Sequence, residues 1–377
     1  MSKNVLVTGS GGIGGVNFVN ALRVAKREYT ISGTEFNKYY LELPDLDIKY
    51  RTPRHTDSKF LEKIREIIDK NKIDFLHPSP HSEASVIAKE IDSINTETYL
   101  PRYEVIIRDK LETQEILEKN QIPVAKTEKI SALNEIKSVM GKFNDEKVWV
   151  RMKSGAGGKL SLLCETEEQI EDWIRIWVNR GTAEYSDFMI QEYLPGKNIA
   201  CDSLWYNGKM IASFTRERLE YPFKHISPSG ITGTPTVSRI IIDERINEIA
   251  KKAILASDSN PNGSYAVDLK GNKEDKPIVT EIDSGKFHTT TALWGIVANK
   301  LGLDEKKNLA DYYCAIGMND VEPEDLGTDI YPDNLYLIRH IDTGTWIWKE
   351  DGYKAVSYTH LRAHETEADL VCRLLLE

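Results

Sequence analysis

Over the first hundred residues, short apolar runs alternate with stretches of helical spacing. Asn4–Thr8 (NVLVT) is a short apolar run, residues 9–15 form a glycine loop, and Val16–Lys26 carries a helical pattern. A second strand is predicted at Tyr29–Thr34, followed by a loop rich in Tyr, Pro and Asp. A helix is expected over Ser58–Lys70, a third strand at Ile73–Leu76 and another helix at Glu83–Ile94. Strand, crossover helix, strand in repetition is the pattern of a doubly wound parallel sheet.

The pattern changes after residue 107. Arg108–Asn120 reads as a charged helix closed by the turn Gln121–Pro123, since Pro cannot continue a helix. Lys147–Met152 and Leu160–Cys164 read as strands flanking the tip Lys153–Lys159 (KSGAGGK), a hairpin with a glycine-rich end. Glu167–Asn179 has a Trp/Ile face at helical spacing. Beyond residue 186 come strands at Met189–Glu192, Ala200–Trp205 and Ile211–Arg216 and a helix at Glu244–Ser257. Two further strands, Ser264–Leu269 and Ile278–Asp283, are joined by the polar turn Lys270–Lys276. This third block reads as an antiparallel α+β lobe. The expected division is 1–107, 108–186 and 187–356. Residues 357–377 (SYTHLRAHETEADLVCRLLLE) read as a non-native tail and are set aside, together with His360 and His364.

Composition narrows the function classes. A chain of 377 residues predicts two or three domains. No apolar run approaches the ~20 residues of a bilayer span, so a membrane protein is not expected. A net charge of −10, from 49 basic and 59 acidic side chains, argues against a nucleic-acid partner while leaving room for a local basic pocket. Cys164, Cys201, Cys314 and Cys372 show no CxxC spacing, and the opening MSKNVLVTGS reads as a strand rather than an apolar leader. A reducing, cytoplasmic setting is the expectation.

The first motif is Gly9-Ser-Gly11-Gly-Ile-Gly14, a GxGxxG between a strand and a helix, with Glu35 at the end of the second strand. Glycines there permit a tight turn and close approach of a phosphate to amides at a helix N-terminus. An NAD(P)-dependent oxidoreductase is one reading. The other is that the glycines simply pack the first helix against its strand. No Tyr-x-x-x-Lys pair follows to serve a nicotinamide, and the later segments carry nucleotide chemistry of their own.

Four segments make that second proposal. Asp109-Lys110 opens a helix. Arg151 ends a strand leading into Ser154 and the glycines Gly155, Gly157 and Gly158. Gln191, Glu192, Tyr193 and Leu194 precede a Pro-Gly turn. Asp268 stands on one strand, and Glu281 and Asp283 on the next. A glycine-tipped hairpin can fold over a triphosphate and offer amides to it. Lys110 and Arg151 supply positive charge for phosphate oxygens. The stretch after Gln191 can present backbone groups to an adenine edge. Strand alternation puts Glu281 and Asp283 on one face, and Asp268 paired across would complete an oxygen cluster of the kind Mg²⁺ prefers, with Mn²⁺ as a substitute. Taken singly, the GAGG tip is also an ordinary turn and the acidic pair an ordinary solvated strand face.

In order and spacing the segments DK…IP, RMKSGAGGK, QEYLPGK and TEIDSGKF resemble the ATP-grasp superfamily, nearest its carbamoyl-phosphate-synthase-like and carboxylate–amine ligase branch, over roughly residues 3–320. The resemblance implies an α/β and α+β architecture: an N-terminal Rossmann-like domain followed by a two-lobed ATP-grasp domain. It implies that Lys110 and Arg151 contact ATP phosphates and that Gly155, Gly157 and Gly158 form a lid. Glu192 and Leu194 would flank adenine, and Asp268, Glu281 and Asp283 would hold Mg²⁺. This chain departs from the family at the ribose position, which is Asn198 rather than an acid with Lys197 beside it. It also has Asp283 in place of a metal-binding Asn, Lys286 in place of a substrate Arg, and Arg151 where many members have Lys.

The implied reaction activates a carboxylate as an acyl phosphate and joins it to an amine, releasing ADP. Positioning and charge neutralisation carry such phosphoryl transfer, so no nucleophilic Ser or Cys is needed. Arg216, Arg218 and Lys286 are candidates for the substrate carboxylate or the transferred phosphate. His288 and the His77–Glu83 segment are candidates for the cleft edge, a structural role for the histidines being the plainer reading. The partners are small-molecule carboxylate and amine substrates. The oligomeric state is left open, a homodimer being the commonest closed assembly. Beside the ligase and the oxidoreductase stands a third reading, a nucleotide-binding protein without catalysis.

Overall fold

The computed structural model describes residues 2–143, 147–154, 160–227, 230–340, 344–349 and 352–354. The tail 357–377 and the lid glycines Gly155, Gly157 and Gly158 lie outside the described residues.

The first unit contains β1 (Lys3–Thr8), α1 (Ile13–Arg23), β2 (Tyr29–Glu35), β3 (Ile48–Arg51), α2 (Lys59–Asn71), β4 (Phe75–Pro78) and α3 (His81–Lys89). Its four strands are parallel in the order β3-β2-β1-β4. Val5, Leu6 and Val7 are fully buried, as expected of a parallel strand covered on both faces. α2 buries Phe60, Ile64, Ile67 and Ile68, one helical stripe, and ends at Lys72 in the left-handed region. β3 lies where the sequence predicts a loop. It is an edge strand of four residues, half of them exposed, with no apolar run to announce it.

After the short α4 (Tyr103–Ile106) comes α5 (Lys110–Lys119), whose start is fixed by the Asp109 side chain accepting from the amides of Leu111 and Glu112 at 2.8 Å each. β5 (Thr127–Lys129), α6 (Ile136–Gly141), β6 (Val148–Met152), β7 (Leu162–Cys164), α7 (Glu167–Asn179) and β8 (Phe188–Glu192) follow. Their antiparallel sheet has the order β5-β8-β6-β7, with β6 and β7 paired as the expected hairpin. α7 is capped by Thr166 and turns Ile170 and Ile174 into this core.

The third sheet gathers β9 (Asn198–Tyr206), β10 (Lys209–Glu220), β11 (Val237–Ile240), β12 (Gly263–Gly271), β13 (Pro277–Ser284), β14 (Tyr336–His340), β15 (Gly344–Lys349) and β16 (Gly352–Lys354). Its antiparallel order is β13-β12-β9-β10-β11-β14-β15-β16. α8 (Glu244–Ser257) packs against it through Ile246, Ala250, Ala253 and Ile254. Two helices not singled out by the sequence pattern follow β13: α9 (Thr291–Lys300) and α10 (Leu309–Gly317). Both are buried almost all round, so they show no amphipathic stripe. They pack against α1, and one core runs from Phe18 and Phe75 to Trp294 and Tyr313. Among the described residues no helix is long and apolar enough to cross a membrane, and Cys164, Cys201 and Cys314 are buried and form no disulfide.

Candidate active site

Residues on or next to the three sheets line a cavity of about 780 Å³. Its walls include Lys110, Arg151, Ser154, Gln191, Glu192, Tyr193, Leu194, Arg216, Asp268, Glu281, Asp283 and Lys286. The described sequence candidates thus meet in one place, although they lie on β6, β8, β10, β12, β13 and α5.

Glu281 is the meeting point. Its Oε1 lies 3.0 Å from Lys110 Nζ and its Oε2 lies 3.0 Å from an Arg151 guanidinium nitrogen. Lys110 is placed by the Asp109 cap at the start of α5, and its backbone amide donates to the Lys153 carbonyl beside Arg151. Glu281 and Asp268 face each other in the β12–β13 register. A bulge follows directly, where Thr280 Oγ1 donates to the Asp268 carbonyl. Bulges of this kind re-aim side chains at a site.

The three carboxylates nevertheless do not form the expected cluster. Among the described residues, no three or more His, Cys, Asp or Glu side chains gather closely enough to hold a metal ion by themselves. Like charges repel, and each carboxylate has instead found a cation. Asp268 sits in the Arg218 fork, at 2.7 and 2.8 Å, and Asp283 takes Lys286 at 3.2 Å and His288 Nε2 at 3.0 Å. The donor set still suits Mg²⁺, which needs only one or two carboxylates when phosphate oxygens complete the shell. All three line the cavity, and Glu281 and Asp283 share a strand face.

Beneath them lies a buried network that the sequence did not announce. Asp202 on β9 pairs with Arg216 at 3.1 Å, accepts from Thr291 Oγ1 at 2.6 Å and lies 3.2 Å from His288 Nδ1. His288 therefore spans Asp202 and Asp283. Although burial pulls it down, the carboxylates of Asp202 and Asp268 raise it to about 9, so it is a cation at neutral pH. Although burial pushes up the Asp202 carboxyl, Arg216 and His288 hold it well below the usual range. His288 lines the cavity from the loop between β13 and α9 and is at the same time part of this charge network. The alternation of Asp202, Ser203 and Leu204 on a buried strand was the available signal, an acid where an apolar residue was due.

At the other end, Gln191 is buried and donates to Gln114 and Thr127, while Glu192 accepts from the Lys126 amide at 2.9 Å. Lys270 was also missed. Its ammonium lies 5.9 Å from both the Trp149 and Tyr193 rings and donates to the Leu194 carbonyl at 3.3 Å, and burial lowers its pKa. Asn198 donates to the Tyr221 hydroxyl at 2.8 Å, and Lys197 turns away to Asp275 at 3.0 Å.

The glycine loop reaches the same cavity through Gly9, Gly12 and Gly14, alongside Ser79, Pro80, His81 and Ser82. His77 does not: it is fully buried, stacked on Phe18 at 3.7 Å, and burial lowers it to about 3. The glycines do pack closely, since a Cβ at Gly15 would meet Ser10 at 2.6 Å. Glu35 is buried and accepts from its neighbours' amides, Phe36 and Asn37, at 3.0 and 3.2 Å. Its Oε1 is thereby engaged with local backbone amides.

No family model matches the chain, and no curated protein does. Solved structures do. N5-carboxyaminoimidazole synthetase from Staphylococcus aureus, complexed with ADP, superposes with a TM-score of 0.66 at 13% identity over 99% of this chain and 98% of that one. L-amino acid ligase from Bacillus licheniformis gives 0.64 at 14% identity over 99% and 97%. The biotin carboxylase domain dimer of Hydrogenobacter thermophilus 2-oxoglutarate carboxylase, with MgADP, ADP and bicarbonate, gives 0.65 at 16% over 90% and 74%. The chain has the ATP-grasp fold, with its parallel-sheet domain ahead of the two antiparallel lobes.

Proposed function

We propose that this chain is an ATP-dependent ligase that activates a carboxylate as an acyl phosphate and joins it to an amine or similar nucleophile. The observation that carries the reading is the double grip of Lys110 and Arg151 on Glu281 in the wall of the shared cavity. Phosphate oxygens arriving there would take over both cations and free Glu281.

In this reading Lys110 and Arg151 bind phosphate oxygens. Gln191 to Leu194 hold the adenine, with Ser154 and the glycines Gly155, Gly157 and Gly158 over the phosphates. Glu281 and Asp283, with Asp268 behind them, would hold Mg²⁺, which supplies charge neutralisation at the phosphates. Arg216 and Lys286 orient the substrate. A carboxylate oxygen attacks the γ-phosphorus and ADP leaves. The amine nitrogen then attacks the acyl carbon, phosphate leaves, and the nitrogen loses a proton. Enclosure by three lobes keeps water from the acyl phosphate.

The solved neighbours with ADP support the nucleotide, and MgADP in one of them supports the metal. We also propose that residues 1–107, 108–186 and 187–356 act as the three working units, in a reducing cytoplasm. A homodimer finds support in the dimeric biotin carboxylase neighbour. The test is an ADP-release screen across amino acids, bicarbonate and small diacids, each with and without ammonia. Acid-dependent, Mg²⁺-dependent ADP release is expected. Tight ATP binding with no release for any acid favours a non-catalytic nucleotide binder.

A further inference from the structure

Three helices from two different parts of the chain begin at the substrate end of the cavity. α1 and α3 bring Gly12, Gly14, His81 and Ser82 to its wall, and α9 brings Thr290. They are tied together. A Cβ at Gly14 would meet Ser79 Oγ at 3.1 Å, and Asn17 of α1 donates to the Thr289 carbonyl at 2.5 Å just before α9. None of the three is capped by the side chain of its preceding residue. First-turn amides have no partner inside their helix, and the aligned peptide dipoles make each such end electropositive.

Two buried side chains lining the cavity carry polar atoms without a partner among the described residues. Arg216 is 1% exposed, and its Nε and Nη1 have none there, while Nη2 meets Asp202 and His288. Thr290, also 1% exposed, has a hydroxyl without one. The carboxylate paired with Arg216, Asp202, is shared with His288 and Thr291, and Asp268 also acts on Arg216. Glu281 and Asp283 come near enough to His81 to act on its charge, and Lys286 and Lys110 oppose them there. Glu35 binds its own backbone amides, and Glu83 lies under the loop within reach of Gly9, outside the cavity wall.

We infer that this end of the cavity seats a second anionic group of the substrate, a carboxylate or a phosphate, in addition to the carboxylate that is activated. The glycine loop then serves the acid rather than a dinucleotide, and the substrate class is a dianionic acid. This rests on the ligase reading for the identity of the first carboxylate, while the anion site is tested by binding alone.

The full chain, saturated with a non-hydrolysable ATP analogue and Mg²⁺, is titrated calorimetrically with succinate, glutarate and 3-phosphoglycerate. Butyrate and glycerate serve as the monoanionic counterparts. At least one dianion is expected to bind tenfold or more tightly than its counterpart, and the carboxylate and phosphate arms identify which group is preferred. Gly12→Asp places a carboxylate at the head of α1. A side chain there would meet only the Gly9 carbonyl at 3.4 Å, so the fold should accept it. It should weaken the dianion at least tenfold. Ser82→Asp, in the first turn of α3, does the same from a second helix. Ser58→Asp, at the exposed head of α2 outside the cavity, should change nothing. Equal binding of mono- and dianions, no dianion binding, or dianion binding untouched by both cavity variants overturns the inference. ADP release measured separately decides the ligase reading, so the two can fail independently.

Discussion

The ammonium of Lys110 lies 3.0 Å from the carboxylate of Glu281, joining the first residue of α5 to the outer strand of the largest sheet. Arg151 grips the second oxygen of the same carboxylate from a different sheet. Two cations on one acid leave positive charge over, and that surplus faces the cavity where a polyphosphate is proposed to lie.

Replacing Glu281 with Gln keeps its size and removes its charge. ADP formation should fall about 10²–10³-fold, the scale of losing one preorganised contact to developing charge. Binding of the metal-free ATP analogue should persist, because Lys110 and Arg151 remain. Steady-state ADP release and calorimetry separate the two effects.

Asp202 and Arg216 are 3% and 1% exposed, so neither charge can fall back on water. Asp202→Asn should destabilise the protein by roughly 3–5 kcal/mol, because it strands a buried guanidinium. Adding Arg216→Met to it should recover part of that loss. A denaturant-unfolding cycle in which the double variant is as unstable as the sum of the singles would show that the pair is not coupled.

Lys270 offers a prediction about the nucleotide end. Among the described residues its one hydrogen bond is to the Leu194 carbonyl, while an ammonium carries three donors. Lys270→Met should weaken the ATP analogue about tenfold, or 1.4 kcal/mol, and leave acid binding intact. Titration with each ligand in turn checks this.

Glu83 gives a pH signature. Burial and the nearby Glu35 raise its carboxyl from 4.5 to about 7, with the Thr8 hydroxyl opposing. The folded protein therefore keeps a proton that the unfolded chain has lost. Its contribution is fully present below about pH 4.5, declines as pH rises through about 7, and then levels off. Glu83→Gln should melt higher than the parent at pH 8 and lose that advantage at pH 5. Melting curves at the two pH values measure it.

Local chemistry made much of this legible. The apolar run Asn4–Thr8, the Asp109 cap and the Gln121–Pro123 stop depend on neighbours in sequence, so β1 and α5 could be placed from the sequence. The site segments were legible for a similar reason. Each motif carries its own charge or glycine pattern, and strand alternation alone sets Glu281 and Asp283 on one face. The edge strand β3 and the all-buried helices α9 and α10 were not legible, because what makes them regular is the neighbour each packs against.

What the sequence determined was which residue types stand in which order: two cations, a glycine tip, three acids and a doubly wound lead domain. The tertiary structure alone decided who pairs with whom. It gave Glu281 to Lys110 and Arg151, handed Asp268 to Arg218, buried Asp202 against Arg216 and His288, and turned the glycine loop toward the shared cavity. The reason is physical: an ion pair is set by distance through space and by exclusion of water, and neither is written in the spacing along a chain.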